Sequence, residues 1–69
     1  MNINIRDYIK NNFKDSNIDE LKESIIASTQ SNDEVVLPGL GVLFEILWIN
    51  SSNKEQENII NIIFNNIKK

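Results

Sequence analysis

From Val35 to Ile49 the chain has a single charged side chain, Glu45, among aliphatic and aromatic residues interrupted only by Pro38, Gly39 and Gly41. A stretch apolar on nearly every side must be covered by something. It is shorter than the roughly 20 residues a bilayer requires, so it reads as protein core. The run VLFEILWI is rich in β-branched and aromatic residues and competes for strand, but the chain has no second convincing strand to pair with it. The spacing therefore predicts a helix from about Pro38 to Ile49, with proline at the first position, where a missing N–H costs nothing.

Three more helices fit around it. Ile5, Tyr8, Ile9 and Phe13 fall on one helical face, with Asn4 placed to cap. Asn17 followed by Glu20 is a second start signal, and a helix to about Gln30 would turn Ile18, Leu21, Ile25 and Ser28 or Thr29 inward. Ser31-Asn32-Asp33-Glu34 is turn chemistry. Ser52 with Glu55 forms a capping box, after which Ile59, Ile60, Ile63, Phe64 and Ile67 recur at helical spacing. Lys68 and Lys69 then place positive charge at the helix end. The expected fold is all-α: one small domain over residues 1–69, a compact bundle of about four short helices around a buried central helix.

Composition narrows the function classes. The 69 residues contain no cysteine and no histidine, which removes disulfides, thiol nucleophiles, most structural zinc sites and the usual neutral-pH proton carrier. Ten acidic against seven basic side chains give a net charge of −3, poorly suited to coating nucleic acid. The opening MNINIRDYIKNNFKD lacks the apolar stretch of a secretory signal, so an intracellular, cytoplasmic protein is expected. A chain below about 70 to 80 residues with neither disulfides nor metal gains only about 3 to 5 kcal/mol from its own core, and such chains often oligomerise.

Leu37, Pro38, Gly39, Leu40, Gly41, Phe44, Glu45 and Trp48 are the residues most open to a special role. Two glycines near a helix start could bare backbone N–H groups to an anion. The G-x-G fragment nevertheless lacks the third glycine of a dinucleotide fingerprint and the Lys-Ser/Thr of a phosphate loop. The plainer reading has Gly39 and Gly41 permitting the turn into the helix and a close backbone approach. Leu40, Phe44 and Trp48 form an i, i+4, i+8 ridge beside them, suited to packing and self-association. On this reading Gly41→Leu overpacks a contact and costs about 1 to 3 kcal/mol. Glu45 is one carboxylate without a catalytic partner; its expected role is an ion pair with Arg6, Lys10 or a second subunit. Arg6, Lys10 and Lys14 repeat every four residues as a basic stripe that could touch phosphates, although such rows are usually solvated helix faces and Asp7 and Asp15 dilute this one. The face of the last helix, widened by Ile59 and Ile62, suggests contact with another chain or a wider wrap around the core. No catalytic residue, metal site or cofactor is expected.

Met1-Asn2-Ile3-Asn4-Ile5-Arg6, Gln30-Ser31 before an acidic turn, the block LPGLGVLFE from Leu37 to Glu45 with Trp48 beyond it, and the terminal Lys68-Lys69 together resemble the minor small acid-soluble spore protein family of type I, from endospore-forming bacteria. The resemblance runs end to end, and LPGLGVLFE is its specific part. Ser31-Asn32 stands where that family usually has Ser-Gly, a change that still tolerates a left-handed backbone. The first and last helices diverge more. The resemblance implies a non-enzymatic protein made in the forespore and kept in the mature spore core. It does not extend to the abundant DNA-coating spore proteins, so no DNA-binding residues carry over from them.

Two functions follow as expectations. The first is a structural or interaction module of the spore core, self-associating as a dimer, with no small-molecule substrate and no membrane. The alternative is weak, non-specific nucleic-acid association through Arg6, Lys10 and Lys14, for which three cations predict a log–log salt slope of roughly −2.7.

Overall fold

A computed structural model describes residues 4–68. Four α-helices follow in order: α1 (Ile5–Phe13), α2 (Ile18–Gln30), α3 (Leu37–Ile49) and α4 (Asn53–Ile67), with a 3-10 turn at Glu34–Val36 leading into α3. There is no strand among the described residues, so the fold is all-α. Met1, Asn2, Ile3 and Lys69, which the sequence reading used, lie outside the described residues.

The helix starts follow the sequence closely. The Asn4 side chain accepts from the Asp7 N–H at 3.2 Å and the Asn17 side chain from the Glu20 N–H at 2.8 Å, each satisfying a donor the helix leaves free. At α4 the capping box closes both ways: the Glu55 N–H donates to Ser52 Oγ at 3.2 Å, and the Ser52 N–H donates to Glu55 Oε1 at 2.7 Å. Asp33 caps the 3-10 turn through the Val35 N–H at 3.0 Å. That turn runs straight into α3, so α3 begins at Leu37 and Pro38 takes the second position, one later than expected.

The end of α3 shows how polar side chains stop an apolar helix. Asn50 Nδ2 donates to the Ile46 carbonyl at 2.8 Å, Ser51 Oγ to the Leu47 carbonyl at 2.6 Å, and Gln56 Nε2 to the Trp48 carbonyl at 2.8 Å. Carbonyls that have no partner within the helix are thereby satisfied by the residues that turn the chain toward α4.

α1 and α2 both lie against α3, while α4 makes no comparably extensive contact with any other helix. The radius of gyration is 13.6 Å, against about 11 Å for a compact chain of this length. Accessible surface is 6176 Å², where a compact monomer of this mass has about 4,450 Å². The expected compact core is therefore not realised within one chain.

Three sequence expectations are corrected. α3 is not buried: Val42, at 8% exposure, is the one buried hydrophobic among the described residues, while Leu37, Phe44, Leu47 and Ile49 are exposed. Two short partners cannot surround a helix that is apolar all round. Ile18, expected to face inward, is 85% exposed; Leu21, Ser24 and Ser28 are the half-buried positions of α2. No described residue has a positive φ, so neither Asn32 nor the two glycines serve a left-handed turn.

Candidate functional site

The residues singled out by sequence gather where α1 crosses the first half of α3. Arg6 reaches across from α1 and grips Glu45 in fork geometry, Nε to Oε1 at 2.6 Å and Nη2 to Oε2 at 2.9 Å. Two parallel charge-assisted bonds fix direction as well as distance, so the pair sets how α1 lies on α3. The hydrogen bonds from Arg6 hold the Glu45 carboxyl below its ordinary value, the charges of Arg6 and Lys10 adding to them. Glu45 in turn raises the pKa of the Arg6 guanidinium. Of the three partners the sequence allowed, the structure selects Arg6.

The glycines differ in their surroundings. A Cβ at Gly39 would lie 3.7 Å from Ile9 Cδ1, an ordinary contact, so of the two glycines this is the one that faces α1. At Gly41 nothing lies within 4 Å of such a Cβ. The close approach expected at Gly41 therefore does not occur within the chain. Instead, Gly41 borders a shallow concavity with Ile5, Arg6, Pro38, Val42 and Glu45.

Further along the same helix, Phe44 and Trp48 stack with ring centroids 6.1 Å apart, a spacing at which aromatic pairs attract. Leu40 is half-buried one turn earlier, so the ridge exists, partly covered at its ends and open at Phe44. Leu37 and Pro38, at its start, are exposed. Trp48 also lines an open groove of about 580 Å³ with Asn53, Gln56, Glu57, Ile60 and Asn61. This groove between the end of α3 and the start of α4 was not anticipated. Its signal was the recurrence of Asn53, Gln56, Glu57, Ile60 and Asn61 on one face of α4, adjacent to the apolar face and sharing Ile60 with it.

Arg6, Lys10 and Lys14 do lie along one helix, Lys14 being the residue that ends it. Arg6 is committed to Glu45, and that carboxylate places negative charge beside the row. Among the described residues no group of three or more acidic side chains could hold a metal ion. Nor is any helix among them long and apolar enough to cross a membrane.

Against known proteins, a family model described as "Small, acid-soluble spore protein I" matches residues 3–67. Proteins of that name are similar over essentially the full length. The one from Bacillus mycoides is 36% identical over 69 residues, covering 100% of both chains. That from Bacillus cytotoxicus is 37% identical over 68 residues, covering 99% of this chain and 97% of its own. That from Bacillus anthracis is 36% identical over 69 residues, again covering 100% of both. No solved structure gives a significant match.

Proposed function

The chain belongs to the small, acid-soluble spore protein I family, and from that premise we infer that it is a non-catalytic, single-domain protein of the forespore and mature spore core that acts as a self-associating helical module. The observation that carries this reading is the apolar surface a single chain leaves open. Phe44, Leu47, Ile49, Ile60, Ile62, Ile63, Phe64 and Ile67 are all exposed. Exposed apolar area on this scale marks a contact with another molecule. In such an assembly part of the apolar surface that α3 and α4 leave open in the isolated chain becomes covered. Within the segment Leu37, Pro38, Gly39, Leu40, Gly41, Phe44, Glu45 and Trp48, Gly39 and Glu45 organise the fold and the open aromatic pair Phe44 and Trp48 serves the association.

Glu45 supports the non-catalytic reading. A carboxylate held ionised by a bidentate guanidinium has both oxygens occupied and no proton to give at neutral pH. Nucleic-acid association is the second reading and is weak on physical grounds. With Arg6 turned to Glu45, Lys10 and Lys14 release about two counterions, a log–log salt slope of roughly −1.8 instead of −2.7.

The test of the cellular part is fractionation of a sporulating culture that expresses the tagged chain. The protein should be absent from growing cells and present in the acid extract of spores stripped of their coats. Equal amounts in growing cells, or recovery only with the coat fraction, would contradict it.

A further inference from the structure

α4 carries its uncovered apolar residues in a pattern that selects one kind of cover. Gln56, Ile60, Ile63 and Ile67 alternate spacings of four and three, the seam of a helix that packs lengthwise against another helix. Gln56, at the head of the seam, is half-buried and bonds the Trp48 carbonyl, but Ile60 is 50% exposed and Ile67 72%, and every residue from Ile60 to Lys68 is exposed, so the seam is open from Ile60 onward.

We propose that the occupant is α4 of a second copy, running antiparallel, with Ile60 and Ile63 set against the partner's Ile63 and Ile60. This rests on the self-association inferred above and specifies the surface and orientation that carry it.

Charge decides the orientation. The first half of α4 carries Glu55 and Glu57 against the one cation Lys54, a net negative charge, and Lys68 stands at its end. A parallel pair sets Glu57 near the partner's Glu57 and Lys68 near the partner's Lys68. Antiparallel pairing brings Lys68 to the acidic half of the other helix at both ends, as a two-fold contact requires. Lys68 lies over the Phe64 ring, its Nζ 4.3 Å from the centroid, so the cation stands beside the ring.

The groove supplies the matching receptor. With Ile60 and Ile63 opposed, the partner's Phe64 falls beside Glu57 and Ile60, at the groove whose other wall is Trp48. An aromatic side chain with a cation behind it enters a cleft whose lining includes Trp48, Ile60 and the Glu57 carboxylate.

Area is sufficient. The surface of 6176 Å² exceeds that of a compact monomer by about 1,700 Å². A stable interface removes about 800 Å² from each partner.

The test is sedimentation equilibrium on the full chain and five variants, each checked for unchanged helical circular dichroism. Ile63→Glu and Ile67→Glu should leave monomer at concentrations where the natural chain is dimeric. Glu57→Lys should weaken the dimer several-fold at low salt, and adding Lys68→Glu to it should restore affinity. Gly41→Leu, on α3, should remain dimeric. Loss of the dimer in Gly41→Leu with both isoleucine variants still dimeric would overturn the α4 contact while leaving self-association standing. Failure of the charge exchange to restore affinity would overturn the antiparallel orientation. A natural chain that stays monomeric at every concentration would defeat the underlying reading as well. A monomer that co-sediments with phosphatidylglycerol vesicles would assign the seam to lipid and overturn the proposal.

Discussion

Arg6 and Glu45 show what one pair of side chains can fix in a chain with so small a core. They are far apart in sequence, and their forked contact orients α1 on α3 where apolar packing alone is thin. Because the Glu45 carboxyl is held below its ordinary value of 4.5, folding favours its ionised form. Its contribution is complete above that ordinary value and disappears as pH falls through the lower, folded-state value. Urea midpoints measured from pH 7 down to pH 3 should decline on the acid side, and Glu45→Gln should start lower and decline less. Equal acid dependence in the two would show that the pair does not couple to folding. The pair is exposed on both sides, so raised salt should shrink the difference.

The glycines make a second prediction at this scale, opposite in sign to the one composition suggests. Gly41 faces open space, so Gly41→Leu should stabilise the chain by about 0.5 to 1 kcal/mol through helix propensity. Gly39→Leu drives a side chain into Ile9 and should destabilise it by about 1 to 3 kcal/mol. Melting temperatures for the two variants check the order. Sequence alone indicates that small residues stand here; which of them has a neighbour depends on the rotation of α3 against α1, and no pattern in either helix specifies it.

Three of the four helices, all but α3, begin where a capping side chain says they should, and this is the scale at which sequence is most legible. Asn4, Asn17 and Ser52 act within three residues of themselves, so their hydrogen bonds need no tertiary information. The Ser52 box is the strongest case. Its backbone N–H and then its hydroxyl lower the Glu55 carboxyl, so this contribution too is present above pH 4.5 and lost on acidification. Ser52→Ala should cost about 1 kcal/mol. Hydrogen exchange should quicken first in the opening turn of α4; uniform quickening across all four helices would mean that α4 does not begin as an independent unit. Burial is where sequence reading falls short. Periodicity identifies the apolar side of α2 and α3, but Ile18 at 85% exposure shows that an apolar side need not be covered. Cover depends on having enough chain to supply it.

At the scale of the whole molecule, four correctly initiated helices leave a surface larger than a closed monomer of this mass would have. The shortfall has a simple cause. α3 is apolar all round and needs neighbours on every side, yet only α1 and α2 lie substantially against it, and α4 extends its own apolar seam into solvent. The all-helical class and the family were legible from the end-to-end pattern, above all the block Leu37 to Glu45. The covering of the core was not, because periodicity shows which side of a helix is apolar and not what lies against it. Most of the stability should then arise on association, with melting tied to concentration. Sedimentation equilibrium combined with thermal melts over a roughly hundredfold range of concentration addresses this directly. The account predicts a species of twice the 8.0 kDa chain mass and a melting temperature that climbs with concentration. A mass of 8.0 kDa throughout, with a melting temperature that does not move, would contradict it.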